Sequence, residues 1–273
     1  MEHLLTRWQD ISQQLKDAKH ILLLIDYDGT LTPIVGRPEM ADLADNVRQL
    51  LESLKRRHGL TLSVISGRAL KDIKSKVKMH GIIYAGNHGL EIEGPGINYI
   101  HPVVNEIRPV LDVISTVLKR TLGNIEGIIV EDKGLSLSVH YRLVAEEKIE
   151  EVKEIFERVI SGAKISGKVR ITTGKKVYEV RPAVDWDKGK AVKLLMKRCR
   201  KGGINSGLVP IYLGDDLTDE DAFKAIDDYG KGISVFVGEA NQETAAGYSL
   251  ESPAQVITFL EMLLDSRLGG EAK

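Results

Sequence analysis

Apolar residues in the first third of the chain come in short unbroken runs, each closed by a polar, turn-forming cluster. Ile21-Leu22-Leu23-Leu24-Ile25 is closed by Asp26-Tyr27-Asp28-Gly29-Thr30, Leu60 to Ile65 by Ser66-Gly67-Arg68, and Ile82-Ile83-Tyr84-Ala85 by Gly86-Asn87-His88-Gly89. A run of that length bounded by turn residues predicts a strand buried on both faces, the kind found in parallel sheets. An amphipathic opening helix over 4–18 and a polar helix over about 42–57 complete a βαβαβ rhythm. Right-handed crossovers then bring the three polar endings to one edge of the sheet.

The pattern changes after Leu90. Alternation around Gly94-Pro95-Gly96 predicts a hairpin, and from about 103 to 182 the order is helix, two strands (Gly127–Glu131 and Leu135–Tyr141), helix, two strands (Lys168–Thr173 and Lys176–Val180). Ile149, Val152, Ile155, Phe156, Val159 and Ile160 mark the second of these helices by their spacing. After Pro182 the first rhythm returns: a helix near 187–201, a strand Pro210–Leu213 closed by Gly214-Asp215-Asp216, and a strand Gly232–Val237. Ser252-Pro253-Ala254-Gln255 reads as a capping box with proline in the first turn of the last helix. The expected fold is α/β: a doubly wound, mainly parallel, Rossmann-like sheet with an inserted α+β cap. Residues 1–102 and 183–273 form the split core, and 103–182 the cap.

Composition narrows the function classes. A length of 273 residues suits two units, and 42% hydrophobic with 28% charged residues is that of a folded globular chain. A formal net charge of −1 supplies no field to attract nucleic acid or an anionic membrane, so an anionic substrate must be held by local groups. The single cysteine, Cys199, cannot form an internal disulfide and suits a reducing compartment. No signal-peptide pattern opens the chain and no apolar run is long enough to span a bilayer, so a cytoplasmic location is expected.

Candidate chemistry lies at the strand ends. Asp26 and Asp28, two residues apart, can divide nucleophilic and acid–base work, although Asp and Gly also populate ordinary turns. Ser66-Gly67 offers a hydroxyl and a backbone amide for a phosphate, or a plain helix cap. Lys188 offers an ammonium to a phosphate, or an exposed charge in a first helical turn. Asp215, Asp216 and Asp219 form an oxygen cluster suited to a hard cation, or cap the helix that follows.

These motifs, in this order, resemble the haloacid dehalogenase superfamily of phosphatases, and Asp26-Tyr27-Asp28-Gly29-Thr30-Leu31-Thr32-Pro33 is the most specific of them. The resemblance implies Asp26 as nucleophile and Asp28 as general acid/base, with Ser66 and Lys188 on the transferring phosphoryl group. It implies Mg2+ held by Asp26, Asp28 and Asp215, with Asp216 and Asp219 in support. The physics agrees with a cation there. A carboxylate approaching a phosphate dianion meets a repulsion of roughly 8 kcal/mol at ~4 Å and an effective dielectric of ~20.

Segments outside the catalytic set are similar to trehalose-6-phosphate phosphatases: Tyr84-Ala85-Gly86-Asn87-His88-Gly89-Leu90-Glu91, Val130-Glu131-Asp132-Lys133-Gly134-Leu135-Ser136, Val139-His140-Tyr141-Arg142 and Gly174-Lys175-Lys176-Val177-Tyr178-Glu179-Val180-Arg181-Pro182. That likeness implies that Glu131, Lys133, Arg142, Lys175 and Glu179 grip a sugar, with Gly67, Arg68, Asn87 and His88 also toward substrate. Asn87 stands where the family often has serine, and His140 reads as structural. Rival readings are a phosphatase for sucrose phosphate or a phosphoglycerate sugar, a non-enzymatic phospho-receiver and a sugar sensor. A receiver lacks both the second Asp and the cap. The expected state is a monomer acting on a small sugar phosphate, with a separate synthase as functional partner.

Overall fold

The computed structural model describes residues 1–36, 38–174, 176–201, 203, 207–239 and 242–266. The chain opens with β1 (Glu2–His3), a 3-10 turn (Leu4–Arg7) and α1 (Trp8–Lys16). It continues through β2 (His20–Asp26), α2 (Asp45–Lys55), β3 (Leu60–Ile65), α3 (Leu70–Val77), β4 (Ile83–Gly86), β5 (Glu91–Gly94) and β6 (Ile97–Ile100). The middle stretch holds α4 (Val103–Leu122), β7 (Ile129–Asp132), β8 (Leu137–His140), α5 (Ile149–Ile165), β9 (Val169–Gly174) and β10 (Val177–Pro182). The return stretch holds α6 (Lys188–Lys201), β11 (Leu208–Gly214), α7 (Glu220–Asp227), β12 (Ile233–Val237), β13 (Tyr248–Leu250) and α8 (Pro253–Asp265).

The chain divides into two compact units, Met1–Tyr99 with Trp186–Lys273, and Ile100–Asp185. The core sheet runs β1-β13-β12-β11-β2-β3-β4-β5-β6 among the described residues. Every pairing from β1 to β4 is parallel, and β4–β5 is antiparallel. Strand β2 sits in the middle, and alternation assigns its side chains to two apolar layers. Ile21, Leu23 and Ile25 join one layer with residues of α1, α2 and α8, whereas Leu22 and Leu24 join the other with α6 and α7. Both faces are therefore covered, which is why the strands read as unbroken apolar runs.

Register fixes where the chemistry falls. Asp26 is paired with Ile65, Ile65 with Ala85, and Leu213 with Ile25. The turns that follow β2, β3, β4 and β11 consequently emerge at one edge of the sheet.

Two expectations about helix starts change. The opening helix spans only Trp8–Lys16, because residues Leu4–Arg7 form a tighter 3-10 turn whose Leu4 is fully buried. No capping box forms at α8, where Ser252 makes no side-chain cap bond. Gln255 instead accepts from the Glu251 amide at 2.9 Å and meets the His3 ring at 2.9 Å, so it is drawn away from the N-cap.

In the unit Ile100–Asp185, a sheet of order β7-β8-β10-β9 is antiparallel throughout. Its two faces differ. Val139, Leu137, Tyr178 and Val180 share one face by register. There Tyr178 stacks on Phe156 of α5 with ring centroids 4.6 Å apart. On the other face Glu131, Ser138, Glu179 and Thr172 stand in one row across the four strands.

Candidate active site

The site begins with a glycine. Gly29 has φ +86°, and a Cβ there would lie 2.0 Å from Oδ2 of Asp215, so the turn after β2 packs directly on the turn after β11. Thr30 locks the same approach, its hydroxyl donating to Asp215 Oδ1 at 3.0 Å. On the β11 side, a Cβ at Gly214 would lie 2.3 Å from the Asp219 carboxyl carbon.

Asp26 is 5% exposed, and Lys188, the first residue of α6, is 3% exposed. Lys188 Nζ donates to Asp26 Oδ1 at 2.6 Å and to Asp219 Oδ1 at 2.7 Å. The alternative of a solvated lysine in a first turn is thereby excluded. Asp219, fully buried, also accepts from the Tyr212 hydroxyl at 2.6 Å and from the amides of Asp215 and Asp216 at 3.1 Å each. Four donors occupy both of its oxygens. One carboxylate oxygen from each of Asp26, Asp215 and Asp219 lies within 4.8 Å of the other two.

The electrostatics follow from this crowding. Three carboxylates, if all ionised, would leave two negative charges unbalanced by the one ammonium. Burial pushes the Asp26 carboxyl well above the usual range, against the pull of Lys188 and with the push of Asp219 and Asp215. Burial and then the Asp219 charge raise Asp215 to about 7. For Lys188, burial alone would weaken the ammonium, but Asp219 and Asp26 overcome it and hold the group firmly protonated. Burial, followed by Asp219, keeps the Tyr212 hydroxyl un-ionised. The donors are all oxygens, which is the chemistry of a hard divalent cation.

Other expected residues lie elsewhere. Asp28 falls past the end of β2, so strand alternation no longer governs it; both its oxygens accept from Arg68. Asp216 is exposed and accepts from the Thr218 amide at 2.7 Å, in a reciprocal capping box with Asp219. Asp216 and Asp219 thus meet the capping reading of that acidic cluster, while Asp219 also stands with Asp26 and Asp215 in the oxygen cluster. Ser66, 1% exposed, accepts from the Arg68 amide at 3.1 Å, four residues ahead of α3. Gly67 lies against the His88 ring, where a Cβ would come within 2.8 Å of it. Asn87 and His88 take left-handed φ of 50° and 58°, and their amides bond the Arg68 and Ser66 carbonyls at 2.7 and 2.9 Å. The turns after β3 and β4 are thus tied together. Trp186 stacks on Tyr99 at 5.5 Å.

The unit Ile100–Asp185 carries its own charged cluster. Lys133 Nζ lies 3.8 Å from Glu131 and 3.5 Å from Glu179, and His140 Nε2 lies 3.0 Å from Glu131. Arg181 pairs with Glu179 through two of its nitrogens. Burial would raise the Glu179 carboxyl, but Arg181 and then Lys133 hold it below its ordinary value. Arg142 is exposed, and Lys175 lies outside the described residues. Sequence reasoning missed Thr30, Tyr212, Ser138 and Arg181. Period-two alternation from Glu179 would have found Arg181, whereas Tyr212 sits inside an apolar run that hides its hydroxyl.

Comparison with known proteins places this arrangement. The Trehalose-phosphatase family model matches residues 24–254. "Probable trehalose-phosphate phosphatase 3" of Oryza sativa subsp. japonica is 35% identical over 279 residues, spanning 97% of this chain and 75% of its own length. The C-terminal domain of the C. albicans trehalose-6-phosphate phosphatase superposes with a TM-score of 0.76 at 25% identity, covering 94% of this chain and 96% of that one. A haloacid dehalogenase-like hydrolase from Bacteroides thetaiotaomicron shares the fold, with a TM-score of 0.58 at 18% identity over 90% of this chain and 100% of that one. The chain belongs to the trehalose-phosphatase family and carries the haloacid dehalogenase fold.

Proposed function

We propose that the chain hydrolyses trehalose 6-phosphate to trehalose and phosphate through a phosphoryl group carried on Asp26. The observation that bears most of this reading is the buried Asp26 carboxylate, aimed by Lys188 at 2.6 Å and crowded by two further carboxylates. Asp26 attacks phosphorus, the bond to the sugar oxygen breaks, and Asp28 gives that oxygen its proton. Water then attacks the aspartyl-phosphate, surrenders a proton to Asp28, and the Asp26 carboxylate returns with its electron pair. Lys188 offsets charge on the phosphoryl oxygens, and the Ser66 hydroxyl with the Gly67 amide cradles them.

Magnesium fits the donor set. Asp219 has both oxygens occupied by four donors, so the Asp26 and Asp215 carboxylates and the Asp28 backbone carbonyl would hold the ion, with Asp219 and Asp216 behind them. When bound, it supplies positive charge between nucleophile and phosphate and keeps the crowded carboxylates ionised.

Glu131, Lys133, Glu179, Arg142 and Lys175 are assigned to the sugar hydroxyls, where charged groups make the stronger hydrogen bonds. Asn87, His88 and Arg68 belong on this reading to the substrate side of the core. The expected state is a cytoplasmic monomer working beside a separate synthase. Among the described residues no helix is long and apolar enough to cross a membrane. The deciding experiment is phosphate release from trehalose 6-phosphate, sucrose 6-phosphate and glucosylglycerate phosphate, with magnesium and with chelator. Turnover in chelator would remove the metal, and preference for another ester would leave a sugar phosphatase of different specificity.

A further inference from the structure

Arg68 was expected to touch substrate, yet its guanidinium is enclosed by the protein. The side chain is 7% exposed. Nε donates to Asp28 Oδ2 at 2.7 Å and Nη2 to Asp28 Oδ1 at 2.6 Å, a two-pronged fork on one carboxylate. Nη1 donates to Asp72 Oδ2 at 2.8 Å from the first turn of α3. The Tyr27 ring lies beneath, 5.5 Å from its centroid to the guanidinium carbon, and is itself anchored by its hydroxyl on the Ala41 carbonyl at 2.8 Å. Asp28, by contrast, keeps its side chain 41% exposed. One side of this carboxylate is therefore fixed on a rigid cation, and the other side faces outward.

We propose that Arg68 is a positioning residue that holds Asp28 as the proton acceptor for breakdown of the aspartyl-phosphate. This inference rests on the reading of Asp28 given above. A carboxylate whose two oxygens both accept from one guanidinium is held in a fixed orientation, with its outward side turned to receive a proton. In the breakdown step the water oxygen bonds to phosphorus, the phosphorus–oxygen bond to Asp26 breaks with its electron pair returning to Asp26, and the water proton goes to Asp28. The leaving-group step draws on Asp28 in the opposite role, as a donor, in which the fork gives no advantage. Arg68 thus acts on one half of the cycle.

The test is Arg68→Lys in the magnesium-loaded protein with p-nitrophenyl phosphate, whose leaving group departs without a proton. Lysine keeps the charge but cannot form the fork. Expected is a rapid burst of nitrophenol approaching one per enzyme, followed by kcat lowered about tenfold or more, with KM falling in step so that kcat/KM stays within about threefold. A rise in KM at unchanged kcat would return Arg68 to substrate binding. An equal fall in kcat and kcat/KM without a burst would make it structural. Either result overturns the inference. Asp72→Asn, which leaves Arg68 in place, should shift the kinetics the same way by a smaller factor, and it decides the matter should the lysine variant fold poorly. Asp28→Asn separates the two readings: full turnover there removes Asp28 as the base, while slow breakdown in Asp28→Asn without it in Arg68→Lys removes only the role given to Arg68.

Discussion

The two charged clusters of this molecule place the same residue types in opposite settings. In the core, Lys188, Asp26 and Asp219 are 3%, 7% and 0% exposed at their side chains and joined by bonds of 2.6–2.7 Å. In the inserted unit, Lys133, Glu131 and Glu179 are 18–22% exposed and stand 3.5–3.8 Å apart. The first cluster is desolvated, sets three carboxylates against one ammonium and is fixed by backbone amides. The second lies on the polar face of a sheet, where Lys133 stands at looser distances between Glu131 and Glu179 although Arg181 grips Glu179 through two nitrogens. Electrostatic preorganisation suits bond-breaking, while a row of partly exposed charged donors and acceptors suits a polyhydroxylated ligand. On the proposed function, the difference between the units is a division between chemistry and recognition.

The sharpest way to break this division is at the nucleophile. Asp26→Asn should lower turnover more than a hundredfold on any ester, about 3 kcal/mol or more of barrier, because an amide cannot attack phosphorus. Circular dichroism should show the fold retained, and phosphate release measures the loss. Appreciable turnover would assign the chemistry elsewhere.

Next in size is a split between substrates. Glu179→Ala or Arg142→Ala should cost trehalose 6-phosphate hydrolysis about ten- to a hundredfold in kcat/KM, one charge-assisted bond of roughly 1.5–3 kcal/mol each. The same variants should barely affect p-nitrophenyl phosphate, which has no remote part from which to draw binding energy. Lys188→Ala should harm both esters alike. It should also lower stability by about 3–5 kcal/mol in chelator, since it strands buried carboxylates without their cation. Equal losses on both esters for Glu179→Ala would make the second cluster structural.

The fold was legible because a strand buried on both faces must be apolar at every position, and Ile21 to Ile25 leaves no other reading. The candidate site was legible only where its residues sit on a motif at a strand end. Tyr212 was not, since a hydroxyl at the tip of an aromatic ring is invisible within an apolar run. The direction of Arg68 was not either: adjacency to Ser66-Gly67 suggests the phosphate, whereas the pairing of β2 with β3 turns its guanidinium onto Asp28. The absent capping box at Ser252 has the same origin, because the partner that captures Gln255, His3, is 252 positions away.

Titration should separate the units by sign. Asp215 is raised from 3.8 to about 7, so it favours the folded state when protonated. That contribution is present below the unfolded value and disappears as pH rises through about 7, so in chelator the core should lose stability over that interval. Glu179 is depressed below 4.5, and its contribution is present above that value and lost as pH falls through the lower folded one. Thermal melts in chelator across pH 4–8 should show the melting temperature falling toward neutrality, and Asp215→Asn should flatten the slope. An unchanged slope would mean that Asp215 does not carry it.

The smallest effect makes the finest comparison, between one hydroxyl on a carboxylate from each cluster. Tyr212 donates to Asp219 at 2.6 Å with neither side chain exposed, and Ser138 donates to Glu179 at 3.4 Å beside a partly exposed carboxylate. Tyr212→Phe removes a single oxygen and no ring packing, including the edge contact with Phe223 at 5.7 Å. Asp219 then keeps three donors but loses one of the two on Oδ1, so the orientation it imposes on Lys188 loosens. About 1.5–3 kcal/mol of stability should go with a short bond to a charged group, and turnover should fall several-fold on both esters. Ser138→Ala removes a long bond from a buried hydroxyl to a carboxylate that Arg181 and Lys133 still hold, so stability should change by no more than about 1 kcal/mol. Its only consequence should be a modest rise in KM for the sugar ester. Denaturant melts and two-substrate kinetics on the pair measure both quantities. Matching losses for the two variants would mean that burial and bond length, which set the clusters apart in the structure, do not set apart what they do.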